Sequence, residues 1–184
     1  MDIGSVGGLS GCLDSGGVTD LEYADSILIA RDPEATYAMV SDVTRMGEWS
    51  PVCRACWWDE GEGPHVGAWF TGCNQNAERT WETRSQVVAA DPGREFAWEV
   101  NDGWVRWGFA LEPADGSAGS SEATGEASPS TRLTQSWKFL PKGIAGFRDR
   151  YGERADDEIA ARSAAAKSGI PETLAAIKAS AETT

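Results

Sequence analysis

Apolar and polar residues alternate with a period of two over much of residues 52–140, which predicts β-strands with one apolar face. Turn-forming residues divide the region, and Pro92-Gly93 and Asp102-Gly103 supply glycine where a tight turn needs positive φ. Short loops between consecutive strands predict antiparallel pairing. The predicted strands are 21–31, 52–58, 66–75, 79–89, 94–100, 104–111 and 131–140.

Helical patterns flank this strand region. Asp32-Pro33-Glu34 is a strong helix start, because Asp caps the first turn and proline suits the first helical position. A short second helix should pass through Met46 and end near Pro51, because the residue before a proline avoids helical geometry. After residue 143, apolar residues recur at helical spacing in two stripes, and Gly169 with Pro171 predicts a break or kink between them.

Two segments carry no periodic pattern. Residues 1–20 are rich in Gly and Ser, which predicts a flexible leader. Residues 113–130 contain no aromatic residue and too little apolar area to order themselves, which predicts a long, disordered-type hairpin tip. The length of 184 residues allows one sizeable core, so we expect a single domain over residues 21–184.

The formal net charge of −13 argues against two classes of partner. An acidic surface repels phosphate backbones and anionic headgroups, so we expect neither nucleic-acid binding nor membrane binding. No stretch approaches the roughly 20 apolar residues of a membrane span. The first 20 residues lack the basic and apolar regions of a secretory signal, so we expect a cytoplasmic protein.

The cysteines Cys53 and Cys56, followed by His65 and Cys73, suggest a zinc site of the three-Cys, one-His type. A zinc knuckle needs a tight turn between its first two cysteines, whereas this segment has the pattern of a strand. Residues three apart in a regular strand point to opposite faces. We therefore expect free thiols, no metal site and no cofactor.

Eight of the nine tryptophans lie between residues 52 and 140, in segments with strand patterns. Wide rings on one face of a curved sheet often leave a hollow in which a small apolar molecule can bind. An ordinary aromatic core explains the same spacing equally well.

Four segments resemble a known superfamily. Ile29–Tyr37 is similar to its first strand and Pro-Glu helix start, Val40–Pro51 to its second-helix segment, and Val66–Asn74 and Trp107–Pro113 to its strand signatures. The chain thus resembles the START-like (SRPBCC) helix-grip superfamily, which includes polyketide cyclase/dehydratase and lipid-transport-like proteins. The resemblance implies an α+β fold with a curved, seven-stranded antiparallel sheet around a long C-terminal helix and two short helices after the first strand.

The resemblance also implies an internal cavity for apolar ligands such as lipids or polyketides. Strand parity and the helical stripes then predict which side chains line it, with Trp49 near its mouth. The predicted ligand-binding residues are Trp49, Phe70, Asn74, Trp81, Thr83, Trp98, Trp107, Phe109, Gln135, Trp137 and Tyr151.

The first functional hypothesis is the binding of an apolar small molecule, with transport or sequestration as its purpose, by a monomer or homodimer. The second is a polyketide aromatase/cyclase-dehydratase enzyme, which needs a titratable group in the pocket. Candidates are His65, Arg79, Arg84, Tyr37 and Tyr151, but they form no convincing constellation, and we assign no catalytic residue. The third is a toxin-like or stress-response interaction protein, which rests only on the breadth of the family.

Overall fold

The computed structural model describes residues 21–61, 63–114 and 129–183. Their main element is one antiparallel sheet of seven strands in the order β1-β7-β6-β5-β4-β3-β2. The strands are β1 (Glu22–Ile29), β2 (Cys53–Trp58), β3 (Trp69–Gln75), β4 (Thr80–Asp91), β5 (Glu95–Val100), β6 (Val105–Ala114) and β7 (Ser130–Phe139). The helices are α1 (Pro33–Val40), α2 (Met46–Trp49), α3 (Pro141–Tyr151) and α4 (Ala155–Glu182).

This architecture confirms the predicted α+β helix-grip fold, with all seven strands in the predicted order. Several strand ends differ from the prediction by two or three residues: β3 begins at Trp69 and β4 ends at Asp91. Pro113 and Ala114 belong to β6 and pair with Thr131 and Ser130 of β7. The hairpin arms therefore extend into the segment predicted as a loop, because adjacent strands satisfy each other's backbone groups despite the proline. The rest of the predicted loop, and the predicted leader at 1–20, lie outside the described residues.

The first helix begins where the sequence predicts. The Asp32 carboxylate accepts a hydrogen bond from the Ala35 N–H at 2.8 Å, and Pro33 occupies the first turn. Asp42 caps a short 3₁₀ turn, Val43–Arg45, that leads into α2. These two caps fix where the helical segments begin. Tyr37 and Val40 of α1 are buried.

The C-terminal helical region divides at a different point from the one predicted. α4 runs without a break through Pro171, and the interruption is instead the 3₁₀ turn Gly152–Arg154. Gly152 has a φ of 56°, a conformation that glycine adopts at little cost and that ends α3. Beside the proline, the Thr173 hydroxyl donates to the Gly169 carbonyl at 2.8 Å, which gives this part of the helix an extra polar contact.

The core lies between the helices and one face of the sheet, which we call the inner face. Inner-face positions alternate with exposed ones along β7, where Thr131, Leu133, Gln135, Trp137 and Phe139 are all buried. The α4 residues Ile159, Ile170, Leu174 and Ile177 join the same buried cluster. α4 packs chiefly on β1 and to a lesser extent on β7, while α1 contacts β5–β7 and α2 contacts β2.

Candidate ligand-binding site

Three indoles lie side by side across the middle of the inner face. Trp98 of β5 pairs in register with Trp107 of β6, which pairs with Trp137 of β7. Antiparallel register places directly opposed side chains about 4.5–5.5 Å apart at their Cβ atoms, so the rings form a continuous aromatic surface. Trp98 and Trp137 are buried at 6% and 3% exposure, whereas Trp107 between them is partly exposed.

The aromatic surface continues toward β2 through edge-to-face contacts. Phe70 lies 6.0 Å from Trp98 and 5.6 Å from Trp58, centroid to centroid, at steep interplanar angles. Phe109 lies 5.9 Å from Trp98. Such arrangements add stabilisation beyond burial alone and fix the rings in place. The inner face from β2 to β7 therefore presents a wall of aromatic rings.

The helices leave part of this wall uncovered. They pack chiefly on β1, β2 and β5–β7 and make few contacts with β3 and β4. Correspondingly, Asn74 of β3 and Trp81 and Thr83 of β4 face inward yet are partly exposed. Inner-face side chains in a fully packed two-layer fold are buried. The partial exposure of these three residues therefore indicates a gap over β3 and β4.

Asn74 and Thr83 form a polar contact inside this gap. The Asn74 side-chain amide donates to the Thr83 hydroxyl and to the Gly72 carbonyl, both at 3.1 Å. Among the described residues, the Asn74 amide oxygen and the Thr83 hydroxyl hydrogen have no hydrogen bond of their own. Gly72 keeps the space next to the Cys56 sulfur open, because a Cβ at this position would lie only 3.2 Å from that sulfur.

Two buried polar atoms have no hydrogen-bond partner among the described residues: Trp49 Nε1 and Gln135 Oε1. Both residues are well buried, at 5% and 6% exposure. A buried polar atom without a partner costs roughly 1–3 kcal/mol, so each such atom calls for an explanation. One of them is a donor and the other an acceptor.

The charged candidates lie away from the inner face. Arg84 is on the outer face, as predicted, where it forms an ion pair with Asp59 at 2.6 Å and stacks on Trp69. The same arginine holds the pKa of Asp59 below its usual value, mainly through this hydrogen bond. Arg79 is exposed at the rim, with its guanidinium 5.1 Å from the Trp81 ring centroid. Within the described strands, the inner-face positions of β3–β7 carry no ionisable side chain.

The tyrosine candidates are packed. Tyr37 is 6% exposed with its ring edge-on to Phe96, and burial raises the pKa of its phenol. Tyr151 ends α3 and stacks on Phe147 at 5.1 Å, partly exposed. His65 lies in the β2–β3 loop and is exposed. These groups do not converge on one point, and no catalytic constellation emerges from the described residues.

The two cysteines of β2 contradict the strand argument made from the sequence. A bulge between Cys53 and Ala55 inserts Arg54 as an extra residue, so that both Cys53 and Cys56 face inward. Their sulfurs lie 3.3 Å apart. The hydrogen bond from the Cys56 thiol lowers the pKa of Cys53, and that bond together with burial raises the pKa of Cys56. Cys73 has the opposite parity from Gly72 and lies on the outer face.

The four-residue zinc arrangement therefore does not assemble. No group of three or more His, Cys, Asp or Glu residues in the described ranges could hold a metal ion. A small polar depression of about 180 Å³ does occur beside His65, but on the outer face. It is lined by Asp59, Glu60, His65, Gly67, Ala68, Trp69 and Arg84, none of which is a predicted ligand-binding residue.

The structure places the predicted site residues in three groups. Phe70, Trp98, Phe109, Gln135 and Trp137 are buried on the inner face, and Asn74, Trp81, Thr83 and Trp107 are partly exposed there. Trp49 is buried on α2 with the Arg45 guanidinium over its ring, and Tyr151 lies at the end of α3. Their role in ligand binding stays a prediction.

Sequence reasoning missed three inner-face residues of β2, Cys53, Cys56 and Trp58, and the α2 residue Met46 that packs against the same core. Trp58 shares the parity of Cys56 and pairs with Phe70, so strand alternation could have found it. The bulge at Arg54 left no signal in the alternation, because a one-residue insertion reverses parity without changing composition.

Comparison with known proteins identifies the class to which this fold belongs. Residues 21–182 match the family described as "Polyketide cyclase / dehydrase and lipid transport". The chain belongs to this family. Its membership agrees with the predicted START-like superfamily.

A solved relative supports the same assignment at high identity. The solution structure of a Polyketide_cyc-like protein of Corynebacterium glutamicum is 51% identical, with a TM-score of 0.60, and the match covers 89% of this chain and 92% of that one. A START superfamily protein of Mycobacterium smegmatis shares the fold at 14% identity and a TM-score of 0.57, covering 88% and 97% of the two chains.

A third neighbour is a two-domain protein. The di-domain ARO/CYC StfQ from the steffimycin biosynthetic pathway is 14% identical with a TM-score of 0.59, and the match covers 89% of this chain but 51% of that one. This identity supports likeness of fold only. The search of curated proteins found no match. Within the described residues, no helix is both long and apolar enough to cross a membrane.

Proposed function

We propose that this protein binds a flat, apolar small molecule between the inner face of β3–β6 and the helices. The observation that carries the proposal is the partial exposure of Trp81 and Trp107 on a face whose neighbouring rings are buried. Exposed indoles on an inner face offer ring surface to a guest, and apolar pockets of this kind bind ligands largely by burial. Family membership supports the proposal, since lipid transport is part of the family description.

The polar atoms in the interior favour a ligand that carries polar groups. The Asn74–Thr83 pair, Trp49 Nε1 and Gln135 Oε1 offer a few fixed donors and acceptors within aromatic walls. Such groups orient a ligand rather than supply most of its affinity. A fused-ring compound with hydroxyl and carbonyl groups fits this lining better than a simple alkyl chain does.

Binding is better supported than catalysis. General acid–base chemistry needs a titratable group within hydrogen-bond reach of the reacting atoms. The described inner-face positions of β3–β7 are apolar or neutral, and the buried Tyr37 has a raised pKa. The protein would therefore act as a carrier or a sequestering protein, as a monomer or homodimer in the cytoplasm.

The proposal is tested by titrating the full chain with three probes: a hydroxylated anthraquinone, a saturated fatty acid and 1,8-anilinonaphthalene sulfonate. Quenching of tryptophan fluorescence and native mass spectrometry report affinity and stoichiometry. We expect one anthraquinone per chain, bound at least ten-fold more tightly than the fatty acid. Absence of binding by all three probes would contradict the proposal, and conversion of a poly-keto substrate by the protein alone would favour the cyclase hypothesis instead.

A further inference from the structure

Two cysteine sulfurs on the inner face of β2 lie beside a methionine sulfur from α2, with Cys56 in contact with both of the others. Cys53 Sγ lies 3.3 Å from Cys56 Sγ, and Cys56 Sγ lies 4.0 Å from the Met46 thioether sulfur. Both cysteines are buried, and Met46, at the start of α2, is partly exposed. The ligand proposed above requires none of these atoms.

The bulge in β2 sets the spacing of the two thiols. Cys53 pairs with Asn74 and Cys56 pairs with Gly72, so three residues of β2 span only two residues of β3. Two residues of a strand rise about 6.8 Å, and side chains at that spacing point in the same direction. The two cysteines therefore stand parallel, with their sulfurs turned toward each other.

This spacing suits a bridging metal better than a disulfide. A disulfide needs sulfurs about 2.05 Å apart, so the pair would have to close from 3.3 Å by about 1.2 Å to form one. Two sulfurs each about 2.3 Å from a metal are about 4 Å apart at a trigonal angle. The observed 3.3 Å needs only a small side-chain adjustment to reach that distance, and the Cys56–Met46 separation of 4.0 Å already matches it.

The donor set selects the kind of cation. Two thiols and a thioether are soft ligands, which prefer Cu(I) to hard cations such as Mg²⁺ or Ca²⁺. Zinc in structural sites takes four ligands, and no third His, Cys, Asp or Glu of the described chain joins the pair. Gly72 leaves space beside Cys56, where a Cβ would approach the sulfur to 3.2 Å.

We propose that Met46, Cys53 and Cys56 form a trigonal binding site for a soft, thiophilic cation of the Cu(I) class on the inner face of β2. Each cysteine gives up its proton to become a ligand, and the thioether completes the set without a change of charge. Met46 connects the site to solvent, since it alone of the three is partly exposed. The loop bearing His65 plays no part in the site.

The test is an anaerobic titration of the full chain with Cu(I) against a chromophoric Cu(I) chelator. We expect one Cu(I) per chain to be retained. Cys53→Ser and Cys56→Ser should each weaken retention at least 100-fold, and Met46→Leu should weaken it about ten-fold. Cys73→Ser is the matched control, because Cys73 lies on the outer face of the adjacent strand, and it should retain Cu(I) as the unaltered chain does.

Circular dichroism shows that each variant is folded before it is compared. The proposal would be overturned if Cys73→Ser lost as much Cu(I) as Cys53→Ser and Cys56→Ser, or if the unaltered chain retained no Cu(I). It would also be overturned if the chain retained Zn²⁺ as firmly as Cu(I), with each metal measured against a chelator of matched strength. Treatment with diamide provides a further check: rapid loss of two mass units from a Cys53–Cys56 disulfide, without Cu(I) retention, would contradict the geometric argument.

Discussion

Trp107 and Trp137 occupy directly opposed positions on β6 and β7, yet Trp137 is 3% exposed and Trp107 is partly exposed. The helix α4 packs on β1 and β7, so it covers the second indole and leaves the first. The exposed part of Trp107 is ring surface that the proposed ligand would contact.

Trp107→Ala should weaken binding of the anthraquinone probe at least ten-fold per folded molecule. Removing the indole takes away ring surface from the wall and lowers stability by up to about 3 kcal/mol, less than a fully buried tryptophan costs. Fluorescence titration and urea denaturation measure the two effects separately.

Trp57→Ala is the control for that variant. Trp57 lies on the opposite face of the sheet, in the edge strand β2, with 42% of its surface exposed. Its loss should change stability by about 0.5 kcal/mol or less and leave binding intact. Equal loss of affinity in the two variants would place the ligand elsewhere.

Gln135→Leu should separate stability from binding. The buried Gln135 Oε1 has no partner in the described part of the chain, so replacing the amide with an apolar group of similar size removes a desolvation cost. We expect the free energy of unfolding of the ligand-free protein to rise by about 1 kcal/mol. Affinity for the hydroxylated probe should fall, while affinity for its non-hydroxylated analogue is preserved. A drop in stability would show that the amide has a structural partner.

Two glycine substitutions should have opposite effects on stability. A Cβ at Gly143 of α3 would lie 2.2 Å from the Trp104 carbonyl oxygen, which is backbone and cannot rotate away, so Gly143→Ala should destabilise by several kcal/mol. At Gly169 of α4 the nearest atom, Pro51 Cγ, is 3.5 Å from such a Cβ. Gly169→Ala should therefore stabilise by about 0.5–1 kcal/mol, because alanine favours the helix. Thermal denaturation of both variants gives the comparison.

Glu182 should contribute stability that depends on pH. Its carboxylate accepts hydrogen bonds from Lys178 Nζ at 2.5 Å and the Ala30 N–H at 3.0 Å, and the lysine contact is the larger cause of its lowered pKa. A lowered pKa in the folded state means that the contribution is present above the ordinary value of 4.5 and is lost as the pH falls through the folded-state pKa.

Glu182→Gln should accordingly reduce stability at pH 7 by less than about 1 kcal/mol, since the side chains of the pair are 38% and 31% exposed and solvent screens their interaction. The difference from the unaltered chain should shrink below pH 4.5. Denaturation curves between pH 3 and pH 7 test this, and a difference that grows on acidification would have the wrong sign.

The alternation of residues was sufficient to predict the sheet and its inner face. Along β7, for example, Leu133, Gln135 and Trp137 are buried and the residues between them are not. Period two determines the face directly, and short turns such as Asn101–Gly103, with positive φ at all three residues, determine the antiparallel order.

Features that depend on single backbone irregularities were not predicted. The bulge at Arg54 brings Cys53 onto the face of Cys56, and Gly152 rather than Pro171 divides the C-terminal helices. Such irregularities depend on tertiary packing, which local pattern does not contain. For the same reason, the sequence could not predict which part of the inner face is uncovered, because that depends on where α4 packs.

The central claim, that a guest lies against the inner aromatic wall, is tested most directly by the indole N–H resonances of tryptophan-labelled ¹⁵N protein during titration with the hydroxylated anthraquinone. Trp49, Trp81, Trp98 and Trp107 should shift at one equivalent, with Trp49 changing most because its N–H gains a hydrogen-bond acceptor. Trp57 should stay fixed. Shifts confined to Trp57 and Trp69, or none at saturation, would contradict binding between the sheet and the helices.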